Sequence, residues 1–294
     1  MSLTPSDLTP PPHSAPPANP AIDPVAPVLD SLPELADRWR STLNWCPSPT
    51  QQQQFVAIYQ AIVQANQFLN LTRLTTPADF WEKHLWDSLS GLSFFFPNPL
   101  DPSGTSPDRS PDRSTPPLDT LPQPRRIIDI GTGGGFPGLP AAVLWPDSTV
   151  TLLDATRKKV AFLEGLIERL NLATVTALVG RAEAVGQEDG QRESYDLALV
   201  RAVGGVTICA EYALPLVRRG GYAVLYRGQW SEAEEESLRS AALDLGGVIA
   251  AVKPLTTPLT GAMRHCILLK KEADTPEAYP RSIGVPSQKP LGLP

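Results

Sequence analysis

The chain has 294 residues, is 41% hydrophobic and carries a net charge of −6, so it is long and apolar enough for one large or two small domains. The negative charge argues against strong nonspecific binding to nucleic acid, and any RNA contact must therefore use local basic patches. Three widely spaced cysteines, Cys46, Cys209 and Cys266, indicate neither a disulfide framework nor a metal cluster. No apolar run of signal-peptide length precedes Arg38, the first lysine or arginine. We therefore expect a cytoplasmic protein without a membrane segment or a metal.

Proline marks the organisation of the chain. Of 33 prolines, nine fall in residues 1–30 and nine in residues 97–124, and neither segment can be a regular helix or a central strand. The second segment also contains the repeat SPDRSPDRS at 106–114. We predict a disordered tail over 1–30 and a low-complexity insertion over 98–124.

Between these segments, residues 31–97 are predicted to form a helical N-terminal extension. Leu32, Leu35, Trp39 and Leu43 follow the spacing of one helix face. Residues 76–79, TPAD, have the pattern of a helix start, with a capping threonine, a proline at the first position and an acid at the third. The extension is expected to pack on the sheet that follows it.

After residue 125 the chain alternates between predicted strands and helices, as a parallel sheet requires. The last strand follows the sixth closely, so we expect it to be antiparallel. We assign residues 125–272 to this domain and 273–294 to a C-terminal tail. The predicted strands are 126–130, 149–153, 174–179, 195–200, 221–226, 247–253 and 264–270.

A glycine-rich stretch, IDIGTGGGFPG at 128–138, follows the first predicted strand and opens a helix. From Gly131 and Gly133 it is the G-x-G-x-G pattern of S-adenosylmethionine (SAM) methyltransferases, but from Gly133 it is also the G-x-G-x-x-G pattern of dinucleotide enzymes. Asp129 favours SAM, because a carboxylate at the strand's tip can bind the ammonium group of a methionine moiety. Its alternative role is to cap loop N–H groups. Asp154, 23 positions after Gly131, can accept the two ribose hydroxyls.

The glycine-rich stretch and six further motifs together resemble the ribosomal RNA small subunit methyltransferase G family, also called glucose-inhibited division protein B. They are NLTR at 70–73, HLWDSL at 84–89, IDIGTGGGFPGLP at 128–140, LDATRKK at 153–159, GRAE at 180–183, VRAV at 200–203 and YPR at 279–281. The resemblance implies an α/β fold of the class I SAM-dependent methyltransferase type, which is Rossmann-like with a seven-stranded, mostly parallel sheet. It also implies SAM-dependent methylation of N7 of one guanine in a decoding-region loop of 16S rRNA.

The resemblance also implies a set of cofactor-binding residues. They are Gly131, Phe136, Asp154, Ala155, Thr156, Ala182, Glu183 and Arg201, to which the residue reasoning adds Asp129 and Gly133. The alternative for Glu183 is a solvated helix cap, and for Arg201 a surface ion pair. Arg201 and His84 are candidates on the substrate side, and no catalytic base is expected. His84 and Asp87, one helical turn apart, either order the pocket floor or pair with each other.

The target atom is also suggested by motifs that are missing. Methylation of an exocyclic amine commonly uses an Asp/Asn-Pro-Pro-Tyr/Phe segment after the fourth strand, where this chain has LVRA at 199–202. Methylation of cytosine C5 needs a nucleophilic cysteine, and Cys209 lies in an apolar helical stretch typical of a small core residue. Guanine N7 needs neither, since its lone pair is unprotonated at neutral pH.

Other functions remain open at this point. They are a SAM methyltransferase with a small-molecule or protein substrate, a NAD-dependent oxidoreductase, and a noncatalytic RNA-binding or assembly factor. The expected partner is 16S rRNA or the small ribosomal subunit, and the expected oligomeric state is a monomer. Arg157, Lys158 and Lys159, with Arg125 and Arg126, either contact phosphates or form a solvated face.

Overall fold

Seven strands form one sheet in the computed structural model, which describes residues 31–96 and 121–292. The strands are β1 (Arg126–Ile130), β2 (Thr149–Asp154), β3 (Val175–Val179), β4 (Tyr195–Arg201), β5 (Val217–Arg227), β6 (Gly247–Thr256) and β7 (Met263–Lys271). Their order is β3-β2-β1-β4-β5-β7-β6. Strands β1 to β5 pair in parallel, whereas β7 is antiparallel to both β5 and β6. The predicted class I methyltransferase fold, including its antiparallel last strand, is confirmed.

Helices lie before the sheet, between its strands and, in one case, after the last strand. They are α1 (Ala36–Leu43), α2 (Pro49–Leu69), α3 (Pro77–Phe80), α4 (Asp87–Leu92), α5 (Gly138–Leu144), α6 (Arg157–Arg169), α7 (Ala182–Val185), α8 (Val206–Ala213), α9 (Glu232–Asp244) and α10 (Val285–Gln288). A π-helical turn, Trp81–Trp86, joins α3 to α4, and a short 3₁₀ segment, Ser93–Phe95, follows α4.

The sheet buries apolar side chains on both faces, because successive residues of a strand point to opposite sides. In β1, Ile127 belongs to one buried cluster, and Ile128 and Ile130 belong to the other. The first cluster also contains Phe55 of α2 and Trp86 of the π turn. The helical extension therefore packs directly on the sheet and shares a core with it, as the sequence predicted.

The N-terminal helices differ from the prediction in two places. The first helix begins at Ala36, so Leu32 and Leu35 precede it although their spacing predicted helix. Leu32 is buried all the same, because apolar contact does not require helical backbone. Thr76 does cap α3, accepting a hydrogen bond from the Asp79 N–H, but the π turn that follows was not predicted by the apolar spacing.

The predicted tail over 1–30 lies outside the described residues, and so does most of the insertion predicted over 98–124. For the last residues of that insertion, 121–124, the prediction is wrong. Leu121 is buried in the core shared by the sheet and the extension, and the Ser148 hydroxyl donates to the Pro124 carbonyl at 2.7 Å. Residues 121–124 therefore belong to the folded domain, since they bury apolar surface and satisfy hydrogen bonds.

The C-terminal segment, predicted as a tail over 273–294, is described as far as residue 292 and folds back onto α7, α8 and α9. Arg281 forms an ion pair with Glu211 of α8, donating from Nε at 2.9 Å and from Nη2 at 2.6 Å. The Glu211 side chain is fully buried. In the described ranges, none of the helices has the length and apolarity required to cross a membrane.

Replacing Arg281 tests how strongly this segment is held. Arg281→Ala should lower the free energy of unfolding by about 3–5 kcal/mol, because the variant leaves the Glu211 carboxylate buried and unpaired. Urea unfolding followed by circular dichroism measures the change.

Arg239 provides the matched control, since it pairs with Glu235 on the exposed surface of α9. Arg239→Ala should cost about 0.5 kcal/mol or less. Equal losses for the two variants would contradict the role assigned to Arg281.

Candidate active site

The glycine-rich loop lies at the carboxyl ends of the parallel strands, where open α/β sheets bind their ligands. The N–H groups of Gly131 and Thr132 both donate to the Leu153 carbonyl, at 2.8 and 3.0 Å. Gly131 has a φ of 71°, a left-handed conformation that glycine adopts without steric cost. At Gly138 an added Cβ would overlap the side chains of Leu152 and Asp129. The loop therefore presses closely on β1 and β2 before α5 begins.

Asp154 is held at the tip of β2 by two backbone donors. Its Oδ2 accepts from the Gly133 N–H at 3.0 Å, and its Oδ1 accepts from the Thr156 N–H at 2.8 Å. The residue is buried, whereas Ala155 and Thr156 beside it are exposed. Each carboxylate oxygen keeps a further lone pair, so the side chain can accept two hydroxyls from a ligand on the loop. This position fits the predicted contact with a ribose.

Asp129 braces the loop from beneath. It is fully buried, and its Oδ2 accepts from the Thr132 hydroxyl at 2.5 Å and from the Gly138 N–H at 2.7 Å. Within the described residues, Oδ1 has no hydrogen-bond partner. Burial raises the pKa of this carboxyl to about 6. The structure thus shows the capping role, and direct contact with a methionine ammonium stays a prediction.

Ala182 and Glu183 begin α7, directly after β3. Glu183 is buried, and its Oε1 accepts from the Tyr212 hydroxyl at 3.2 Å and from the Gly284 N–H at 3.1 Å. Burial acts to raise the pKa of this carboxyl, but the bond from Gly284 and the nearby Arg181 guanidinium leave it below its usual value. Glu183 is therefore not a solvated helix cap, and it connects the loop after β3 to the C-terminal segment.

Arg201, at the end of β4, reaches across to the helical extension. Its Nη1 donates to the Asp87 Oδ2 and to the Lys83 carbonyl, both at 2.9 Å. Its Nη2 lies 3.4 Å from the His84 Nδ1, and its guanidinium lies 5.9 Å from the centre of the Phe136 ring. The Arg201 and Asp87 side chains are only 14% and 11% exposed, so this is a buried ion pair and not a surface one.

His84 lies against the ring of Phe136, with the ring centres 4.5 Å apart and the planes 17° from parallel. Burial, with the charge of Arg201, lowers the pKa of His84 to about 3, so the imidazole is neutral at physiological pH. His84 and Asp87 do not pair with each other, because each turns instead to Arg201. The interpretation that His84 and Asp87 pair with each other is therefore wrong, and their role in ordering the pocket floor stays a prediction.

Two buried carboxylates anchor the hairpin between β6 and β7. Glu82 was missed at the level of sequence, and Asp87 was named there only for its spacing from His84. Glu82 accepts from the N–H groups of Leu259 and Thr260 at 2.5 and 2.9 Å, and from the Thr260 hydroxyl at 2.7 Å. Asp87 accepts from the Arg264 Nε at 3.2 Å. These contacts join residues more than 170 positions apart, and no local pattern signals them.

The basic residues at 125–126 and 157–159, predicted to contact phosphates or to form a solvated face, lie at opposite ends of the parallel strands. Arg157 and Lys158 are exposed at the start of α6, on the same edge as the glycine-rich loop. Arg126 starts β1 on the opposite edge, where its guanidinium lies 4.7 Å from the centre of the Tyr195 ring. Arg126 and its neighbour Arg125 are therefore remote from the site. Across the described ranges, no group of three or more His, Cys, Asp or Glu side chains could hold a metal ion.

Comparison with known proteins shows the family that this chain is similar to. A family model described as rRNA small subunit methyltransferase G matches residues 51–99 and 114–263. A curated protein of that name from Synechococcus elongatus is 54% identical over 254 residues, which cover 86% of this chain and 96% of the relative. Its counterpart from Trichormus variabilis is 48% identical over 260 residues, covering 88% and 98%. The counterpart from Nostoc punctiforme is 50% identical over the same length.

The displaced pKa values of His84 and Asp129 predict two opposite effects of pH on stability. Between about pH 3 and 6.5 the unfolded chain binds a proton at His84 that the folded chain excludes, so this term lowers stability as the pH falls. Between about pH 3.8 and 6 the folded chain holds a proton on Asp129 that the unfolded chain has released, so that term raises stability as the pH falls.

Replacing either side chain should leave the effect of the other on the pH dependence of stability uncompensated. On lowering the pH from 6.5 to 4.5, His84→Gln should lose less stability than the wild type, and Asp129→Asn should lose more, by up to about 1.4 kcal/mol per pH unit in each direction. Urea midpoints at several pH values measure both slopes. Variants whose slopes match the wild type would refute the displaced pKa values.

Proposed function

The chain belongs to the rRNA small subunit methyltransferase G family, and we propose that it transfers the methyl group of SAM to N7 of one guanine in 16S rRNA. The proposal rests on a SAM-type glycine-rich loop beside a buried arginine, in a chain about half identical to relatives named as rRNA methyltransferases. The same relatives give no support to a NAD-dependent oxidoreductase or to a noncatalytic role.

The residues of the site fit the cofactor. The loop from Gly131 to Phe136 offers close backbone approach, and Asp154 offers its free lone pairs to the ribose. Ala155, Thr156 and Ala182 border the same edge, and Glu183 fixes the turn that carries Ala182. The Oδ1 of Asp129 is fully buried and has no partner among residues 31–96 and 121–292, which supports a binding role for that carboxylate, because buried polar atoms are rarely left unsatisfied.

SAM supplies an electrophilic methyl group, and the protein need only hold the acceptor in line with it. The N7 lone pair of guanine is free at neutral pH, so no proton has to be removed before attack. His84 could not remove one in any case, since its low pKa makes it a very weak base. Catalysis by this site is therefore positioning and exclusion of water.

The structure gives no support to methylation of cytosine C5 or of an exocyclic amine. Cys209 is buried in α8, and burial raises the pKa of its thiol to about 11, which makes thiolate attack on a pyrimidine ring unfavourable. After β4, residues 202–205 read AVGG and lead directly into α8, with no proline pair to receive an exocyclic amine.

The substrate is 16S rRNA, either free or in the small ribosomal subunit, and the enzyme acts on it as a cytoplasmic monomer. Arg157 and Lys158 at the edge of the site are suited to phosphate contacts. A net charge of −6 keeps general affinity for nucleic acid low, so recognition depends on the neighbourhood of the site.

The assignment of the ribose site makes a quantitative prediction. Asp154→Ala should weaken SAM binding by about 1.5–3 kcal/mol, the range for hydrogen bonds to a charged group, and the fold should survive. Isothermal calorimetry with SAM measures the loss. Asp147→Ala is the control, because Asp147 is exposed just before the opposite end of the same strand, and it should bind SAM normally. Normal affinity in folded Asp154→Ala would remove Asp154 from the site.

The acceptor atom can be tested by chemical substitution. A 16S transcript carrying 7-deazaguanine at the target should not be methylated, since it lacks N7, whereas Cys209→Ser should keep most of the wild-type activity. The rate of the chemical step should also show no pH optimum from an enzyme base. Methylation of the 7-deaza transcript, or an inactive Cys209→Ser enzyme with normal SAM binding, would require a different acceptor atom.

A further inference from the structure

We propose that the hydroxyl of Thr72 is a fixed hydrogen-bond donor of the ligand site, directed at an oxygen atom of a bound ligand. The inference deepens the proposed function and rests on it for the identity of the ligand. It concerns a residue between α2 and α3 for which the sequence motifs suggested no role.

Thr72 lies beside the glycine-rich loop. The Cβ of its neighbour Leu71 is 3.8 Å from the position that a Cβ on Gly134 would occupy. Thr72 is half-buried, and the Asn66 side-chain oxygen accepts its backbone N–H at 2.8 Å. One hydrogen bond away, His84 stacks on Phe136 of the same loop. The hydroxyl is thus held at the wall of the predicted cofactor and substrate site.

The charge of Arg201 decides which nitrogen of His84 carries the proton. A guanidinium can only donate hydrogen bonds, so the His84 Nδ1 that faces the Arg201 Nη2 at 3.4 Å must be the acceptor. Because the imidazole is neutral, its single proton is then on Nε2. That N–H donates to the Thr72 Oγ1 at 2.7 Å.

The Thr72 oxygen consequently has no lone pair left. It accepts one hydrogen bond from His84 and a second from the Leu74 N–H at 3.0 Å, and a hydroxyl oxygen has two lone pairs. Its own proton can only be donated, and no acceptor for it is found in residues 31–96 and 121–292. A ligand that offers an oxygen atom here completes the network, and one that offers an N–H group does not.

Two oxygen atoms in the proposed reaction meet this requirement. One is the carboxylate of the methionine moiety of SAM, and the other is O6 of the target guanine. Adenine has an amino group in place of O6, so in the second case Thr72 contributes to the choice of guanine over adenine. The experiments below separate the two sources.

The tautomer of His84 is tested without any substrate. Two-bond nitrogen–proton correlation spectra of the ¹⁵N-labelled protein should show His84 protonated at Nε2 and unprotonated at Nδ1 at pH 7. The chain has three histidines, and the spectrum of His84→Gln assigns the signal. A proton on Nδ1, or on both nitrogens, would overturn the proposal.

The donor itself is tested with Thr72→Val, which keeps the shape and removes the hydroxyl, and with Thr72→Ser, which keeps the hydroxyl. Calorimetry compares SAM with 5′-methylthioadenosine, which lacks the amino-acid part. If the partner is the carboxylate, Thr72→Val should weaken SAM binding by roughly 13- to 160-fold, the range for one hydrogen bond to a charged group, and leave 5′-methylthioadenosine unchanged.

If the partner is O6, SAM binding should be unchanged and the effect should appear on the base. A 16S transcript with 2-aminopurine at the target lacks O6, and wild-type enzyme should methylate it more slowly than the guanine transcript. Thr72→Val should reduce that difference by roughly 2- to 13-fold, and Thr72→Ser should preserve it.

A folded Thr72→Val protein that matches the wild type in both comparisons would overturn the proposal, as would one that loses both cofactor ligands equally. Failure of the proposed function is distinguishable. A wild-type enzyme that does not methylate guanine would refute that function, whereas the spectra and the calorimetry would still decide the role of Thr72.

Discussion

The buried ion pair between Asp87 and Arg201 is the interaction on which the rest of the site depends. Arg201 ends β4 and Asp87 begins α4. The pair therefore joins the helical extension to the sheet at the carboxyl ends of the parallel strands. A buried pair repays the loss of hydration only when its remaining donors and acceptors are also bonded. Here the Lys83 carbonyl, His84 and Arg264 meet that condition. Removing either partner would leave a charge buried beside the glycine-rich loop.

The helical extension consequently forms one wall of the candidate active site and shares its core with the sheet. The π turn from Trp81 to Trp86 is the segment that makes this possible, since three successive residues of it serve different parts of the site. Glu82 holds the β6–β7 hairpin, Lys83 presents its carbonyl to Arg201, and His84 stacks on Phe136. π-Helical turns are frequent at functional sites because they realign side chains within a helix. The C-terminal segment closes the opposite flank through Glu183.

Much of this architecture could be predicted from the sequence, because the relevant signals are local. The strands of the sheet appear as short apolar runs, and all seven were placed within a few residues of their observed bounds. The N-cap of Thr76 is likewise a pattern of adjacent residues, and the structure has it as predicted. The carboxylates Asp129 and Asp154 were singled out because they lie at the carboxyl ends of two strands beside the glycine-rich loop.

What could not be predicted depends on contacts between distant parts of the chain. Glu82 meets Thr260, and Arg201 meets Asp87, through packing that no spacing rule encodes. Glu183 was expected on the strength of resemblance, but its carboxylate turns towards Gly284 because the C-terminal segment folds back over it. The role of Thr72 requires the tautomer of His84, which in turn requires the position of Arg201.

Mass mapping of 16S rRNA is the most direct test of the central claim. Ribosomal RNA from cells lacking this protein would be compared with RNA from cells that express it, and with RNA from the deletion strain after the gene is restored. We expect a single N7-methylguanosine to disappear on deletion and to return on complementation, with every other modification unchanged. An identical set of methylated nucleotides in all three samples would contradict it.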